Sequence, residues 1–196
     1  MRVAGILLAA GSGRRFGGDK LLHPLEDGTP IGVCSALRLR RAVGNVLVVV
    51  SNASGALRER LEEEGMDVLE NRFNQGMGSS IAAGVQATRD ADAWVIALAD
   101  MPWIQAVTYA RVYERLAAGA ALAAPEYAGK RGHPVGFHAV YRQALSSLRG
   151  DRGAKDILEE CAGALTRIPV QDPGIHWDVD TPGDLRRSQS TGTLFR

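Results

Sequence analysis

VAGILLAAGSGRRFGGDK, residues Val3–Lys20, decides the architecture. Its first seven residues are small or apolar with no polar alternation, the pattern of a strand buried on both faces. The run ends on the small residues Ala9 and Ala10, then turns abruptly into Gly-Ser-Gly-Arg-Arg. Glycine and cations directly after a buried strand mark the carboxyl end of a strand–loop unit suited to anions.

Outward from this stretch, short apolar runs alternate with amphipathic ones. Val46–Val50, Val95–Leu98 and Ala120–Ala124 have the length and composition of buried strands, and Asp67–Leu69 is a weaker candidate. Between them, Pro30–Ala42, Ala56–Glu64, Ser79–Thr88 and Ile104–Ala118 carry apolar residues at helical spacing. This alternation predicts βαβ units: a three-layer α/β/α fold around a mainly parallel, Rossmann-like sheet. After Glu126 the pattern loosens. Ala128–Leu145 reads as a loop, a short strand and a helix, and Arg149–Glu160 as a turn feeding a helix. Thr166–Val170 and Trp177–Val179 read as short strands and Thr181–Arg187 as a helix, leaving residues 188–196 as a flexible tail. Residues 1–187 are expected to form one domain, with the N-terminal half and residues 126–187 facing different parts of one site.

Bulk composition excludes several classes. The 196 residues suffice for a real core, since a chain of this size hides roughly 70% of its unfolded surface. A formal net charge of +1 gives no case for a nucleic-acid or membrane partner. No segment approaches the roughly 20 apolar residues that cross a bilayer. Cys34 and Cys161 lack metal or redox spacing, which suits reduced thiols and a cytoplasmic location.

The first loop carries the chemistry. Gly11 and Gly13 let backbone N–H groups approach a polyphosphate, Ser12 lies between them, and Arg14, Arg15 and Lys20 supply charge. Leu8, Ala9 and Ala10 form the strand end, and the two alanines leave room for a flat base. A Walker A loop would need lysine directly after its last glycine, but Asp19 intervenes between Gly18 and Lys20. A dinucleotide fingerprint fits Gly11 and Gly13 but meets Phe16 where its third glycine belongs, so a nicotinamide-dependent oxidoreductase is the weaker alternative.

Carboxylates follow the same logic. Asp100 sits at the carboxyl end of a buried strand, where α/β sheets bind ligands. It reads as a Mg²⁺ (or Mn²⁺) ligand or as the N-cap of the next helix. Asp178 and Asp180 are two residues apart in an extended stretch and face one side, which suits a metal shared with Asp100. Asp180 could instead cap the helix beginning at Thr181-Pro182. Asn71–Ser80 leads through Gly76 and Gly78 into a helix that Ser79 or Ser80 could cap, and its N-terminus suits an anionic or polar ligand. Asn74, Gly78, Ser79 and Ser80 lie on this turn, which reads equally as a flexible loop with a cap.

With these motifs in view, the chain resembles the MobA-like nucleotidyltransferases, and within them most closely the molybdenum cofactor cytidylyltransferases. Ala9–Lys20 (AAGSGRRFGGDK), Asn71–Gly84, Ala99–Pro102 (ADMP), Arg131–Phe137 (RGHPVGF), Gly150–Ala154 (GDRGA) and Asp178–Leu185 (DVDTPGDL) occur in the family's order across nearly the whole chain. Two departures are Gly183, where an acidic residue is usual, and the acidic pair Glu26-Asp27. The resemblance implies a fold of the nucleoside-diphospho-sugar transferase type and transfer of CMP from CTP to molybdopterin. Arg15, Lys20 and Asp100 would then be catalytic, and Asp180, ahead of Asp178, would complete the metal site. It implies that the Asn71–Ser80 loop packs over base and ribose, with Asn74, Gly78, Ser79 and Ser80 among the nucleotide-binding residues. Arg131, Gly132, His133, Pro134, Asp151 and Gly153 would face the acceptor, and a molybdoenzyme would receive the product. The pair Ala9-Ala10 resembles the cytidylyl branch rather than the guanylyl one. Sugar- or polyol-phosphate transfer and a non-catalytic cofactor chaperone are the remaining alternatives.

Overall fold

The computed structural model describes residues 1–11, 16–52, 54–72 and 75–185. Along these the order is β1 (Val3–Ala9), α1 (Ile31–Val43), β2 (Val46–Ser51), α2 (Gly55–Glu63), β3 (Asp67–Asn71), α3 (Met77–Ala87) and β4 (Ala93–Leu98). There follow α4 (Ala106–Ala117), β5 (Leu122–Tyr127), β6 (Lys130–Arg131), β7 (Val135–His138), α5 (Arg142–Ser146), α6 (Lys155–Glu160) and β8 (Leu165–Pro169). The strands form one sheet in the order β3-β2-β1-β4-β7-β5-β6, with β8 pairing β5. β1 through β4 run parallel, as do β5 and β8, whereas β7 is antiparallel to both β4 and β5.

Two hydrophobic layers flank the sheet, and β1 divides between them with the period of two a strand dictates. Val3, Leu7 and Ala9 face a cluster with Val33, Leu39, Tyr109 and Leu116 from α1 and α4. Ala4, Ile6 and Leu8 face the other, with Ile81, Val85, Leu145 and Leu158 from α3, α5 and α6. All seven β1 residues are buried, which is why the strand carries no polar alternation. A Cβ at Gly84 would come within 2.8 Å of Ile6 Cγ2, so glycine there lets α3 lie close on β1.

Three expectations need correction. Trp177–Val179 is not a strand, although Val179 N–H donates to the Asp100 carbonyl at 2.9 Å. A flanking proline, Pro182, has no N–H with which to extend a ladder. The alternation survives without the ladder, since Val179 is buried between the more accessible Asp178 and Asp180. Second, α3 begins at Met77 with Gly76 as its N-cap, so neither Ser79 nor Ser80 caps it. Gly76 has φ 88° and ψ −177°, a conformation essentially reserved for glycine, and this fixes where the helix can start. Third, Ala128–Leu145 holds two strands rather than one, because β6 folds back on β5 before β7 enters the sheet. Of the C-terminal helix, residues 182–185 are helical; residues 186 and 187 and the expected tail, 188–196, lie outside the described residues.

Candidate active site

Strand order reverses between β1 and β4, and the carboxyl ends of these two strands open onto a cleft of about 580 Å³. Leu8, Ala9, Ala10 and Gly11 form one wall, Leu98 and Asp100 another, and Gly76, Met77 and Ser80 of the α3 start a third. Lys20, Leu21 and Asp151 complete it. Ser12, Gly13, Arg14, Arg15 and Asn74 lie outside the described residues.

Lys20 begins a single 3₁₀ turn, Lys20–Leu22, whose Leu21 packs on hydrophobic neighbours including Ile31, Trp103 and Val179. That anchor directs the ammonium inward: Nζ lies 2.8 Å from Asp100 Oδ2 and 3.5 Å from Asp180 Oδ1, with its side chain 11% exposed. Asp100, Asp178 and Asp180 each offer a carboxylate oxygen, and these oxygens all lie within 4.8 Å of one another. Three carboxylates so close repel unless positive charge intervenes, and hard oxygen donors of this kind suit Mg²⁺ or Mn²⁺. The donor set therefore fits a divalent cation, with Asp178 and Asp180 presented together from the extended segment behind Val179.

The capping alternative for Asp100 does not hold. The N-cap of α4 is Gln105, whose N–H is taken by the buried Asp172 at 2.9 Å, so Asp100 caps no helix. At residues 181–185, Asp184 accepts the N–H groups of Asp180 (3.1 Å) and Thr181 (2.7 Å).

The serines serve the turn into α3. Asn71 Nδ2 donates to Ser79 Oγ and Ser80 Oγ at 3.2 Å each, Gln75 N–H donates to Ser79 Oγ, and Ser79 Oγ donates to the Gly76 carbonyl. Ser80 lies on the cleft wall; Gly78 and Ser79 do not. Gly78 N–H instead donates to the Gly150 carbonyl at 2.8 Å, clasping the 149–153 loop onto the start of α3. This clasp places Asp151 on the wall of the same cleft. Met77, Leu21 and Leu98 carry no local signal as wall residues beyond their adjacency to motifs.

A second cleft, of about 220 Å³, adjoins the first and shares Leu8, Met77 and Leu98 with it. Arg131, His133, Arg152 and Lys155 line it together with apolar side chains from β4, β7, α3 and α6. Gly132 and Pro134 are buried beside these without lining it, and Gly153 packs on Met77. Burial, reinforced by Arg131, pushes the His133 pKa down from 6.5 to about 4. Because the unfolded chain binds a proton more readily, stability from neutral His133 is complete above pH 6.5 and is lost as pH falls towards 4. Urea titrations at pH 7 and pH 5 should show a loss of stability on acidification that shrinks in His133→Gln. An undiminished loss in the variant would assign the pH dependence to other groups.

A family described as the MobA-like NTP transferase domain matches residues 5–166. Nicotine blue oxidoreductase of Paenarthrobacter nicotinovorans is 31% identical over 195 residues, covering 94% of this chain and 95% of its own. Molybdenum cofactor guanylyltransferase of Cereibacter sphaeroides is 35% identical over 194 residues, covering 97% of each chain. The crystal structure of Rv0371C in complex with manganese, from Mycobacterium tuberculosis H37Rv, superposes with a TM-score of 0.80 at 25% identity, covering 95% of this chain and 97% of that one. Among the described residues no helix is long and apolar enough to cross a membrane.

Proposed function

The chain belongs to the MobA-like NTP transferase family, and from that premise we propose that it transfers CMP from CTP to the phosphate of a molybdopterin-type acceptor, releasing pyrophosphate. The observation that carries this reading is the convergence of Asp100, Asp178 and Asp180 with Lys20 at the mouth of a cleft walled by the strand end Leu8–Gly11. The fold of the nucleoside-diphospho-sugar transferase type and the manganese-bound relative support it.

An acceptor phosphate oxygen attacks the α-phosphorus; the new P–O bond forms as the α–β bridging bond breaks and pyrophosphate departs. Such transfers rest on positioning and charge neutralisation rather than covalent catalysis by the protein. Asp100, Asp180 and Asp178 would hold Mg²⁺ or Mn²⁺, which supplies charge neutralisation on the phosphate oxygens. Lys20 stands beside these carboxylates and stabilises negative charge on the transferring and leaving phosphates. Arg15, in the same loop sequence, takes the matching part. No general base is needed, because a phosphate acceptor is already ionised near pH 7.

Transfer of GMP from GTP is the second reading, favoured by the guanylyltransferase relative; the Ala9-Ala10 pair favours CTP. An oxidoreductase reading draws on the Paenarthrobacter relative and leaves the three carboxylates without a task. Pyrophosphate release, followed with CTP, GTP, ATP and UTP in turn and molybdopterin as acceptor, separates them. Release from CTP alone, abolished by EDTA, is expected. Release from GTP alone would transfer the assignment to the guanylyl reading, and the absence of metal-dependent triphosphate binding would sink both.

A further inference from the structure

Besides the two layers that flank the sheet, a third apolar cluster lies beside the carboxylates. Ile31, Trp103 and Val179 are buried in it, and Leu21, Trp177 and Leu185 pack against it partly buried. The rings of Trp103 and Trp177 meet edge to face, with centroids 6.3 Å apart. Every charged group of the site stands a short step along the chain from a member of this cluster. Lys20 precedes Leu21, Asp100 lies three residues before Trp103, and Asp178 and Asp180 flank Val179.

Val179 is where these connections cross. Its side chain is 0% exposed, and its N–H donates to the Asp100 carbonyl at 2.9 Å. Residues 177–180 belong to no strand, so no ladder fixes their distance from Asp100. That distance depends instead on this backbone bond and on how the Val179 side chain seats in the cluster. A β-branched side chain suits the task, because its χ1 is stiff. Mg²⁺ demands near-octahedral oxygens at about 2.1 Å, so a small drift of the segment would spoil the donor set.

We propose that Val179 is the positioning residue of the metal site: seated in the third cluster, it sets Asp178 and Asp180 at the distance from Asp100 that one divalent cation needs, without touching the ion. The inference rests on the metal site of the nucleotidyl-transfer reading and deepens it by naming what holds the carboxylates in place.

Mn²⁺ binding, titrated through loss of the free-ion EPR signal, tests this on the folded protein. Val179→Ala should weaken Mn²⁺ affinity by about tenfold or more, the scale of losing a group that orients metal ligands. Val179→Ile, which keeps the branch and fills the space, should recover most of that affinity. Val46→Ala is the control: Val46 is equally apolar, 4% exposed, and opens β2 at the end of the sheet away from the clefts. It should lower the urea midpoint yet leave Mn²⁺ affinity within about twofold, as an independent site does. Unchanged affinity in Val179→Ala, or an equal fall in Val46→Ala, would overturn the proposal. Should Val179→Ala fail to fold, Ile31→Val decides, since it takes one carbon from the same cluster and leaves residues 177–185 intact. Its affinity should fall by about threefold, and no change would count against the proposal as decisively. Failure of the nucleotidyl-transfer reading shows instead in the natural protein, as absent pyrophosphate release while Mn²⁺ still binds.

Discussion

Asp100→Asn lowers pyrophosphate release by about 10³-fold, the scale set by removing one preorganised electrostatic contact from a transition state. The amide keeps the shape of the side chain, so the loss reports charge rather than packing. The variant should melt near the natural protein, because Lys20 retains Asp180 at 3.5 Å when its 2.8 Å partner is neutralised. Divalent-metal affinity, read by Mn²⁺ binding, should fall with turnover, since one of three converging carboxylates has gone. A tenfold or smaller loss of rate, or full rate with weakened metal binding, would remove Asp100 from the reaction.

Gly76→Ala is expected to destabilise the fold by about 4 kcal/mol, the sum of strained backbone and overpacking at one position. Its φ of 88° is a conformation that L side chains rarely adopt. A methyl group there would also meet the Gly150 carbonyl carbon at 2.5 Å, its oxygen at 2.6 Å, and Asp151 Oδ1. Backbone atoms cannot swing aside as a flexible side chain can, so the 149–153 loop must move. The midpoint of urea unfolding should drop with its slope unchanged. Gly18→Ala serves as the control, since a Cβ there meets nothing within 4 Å. A shift for Gly76→Ala below about 1 kcal/mol, within the range of ordinary surface changes, would show that the clasp yields.

Legibility of the fold in the sequence follows from how local each feature is. β1 is read residue for residue as Val3–Ala9 because it is buried on both faces and ended by glycine. β5 is displaced from its expected Ala120–Ala124 to Leu122–Tyr127. Pro125 and Glu126 do not read as strand, and pairing with β8 and β6 holds them in one. β7 is four residues long, and its antiparallel place between β4 and β5 is set by pairings remote in sequence. Within the site, the period of two presents Asp178 and Asp180 together, and the end of a buried strand presents Asp100. α3 starts ahead of its expected place because serine is the better cap in general, whereas the backbone here demands Gly76. Asp151 on the wall of the first cleft depends on a contact between the 149–153 loop and α3 that no local pattern announces.

β7 also carries a mechanical consequence. By bonding to β4 on one side and β5 on the other, it stitches the half of the sheet that carries the first loop to the half that carries Arg131. A sheet that runs unbroken from one half to the other resists the two halves closing on each other like jaws. Traffic in and out of the site then falls to short surface connections. Among the described residues, the clasp of residues 149–153 on α3 borders both clefts, with Asp151 on one side and Arg152 on the other. The tempo of turnover would be governed at that latch rather than by movement of the scaffold.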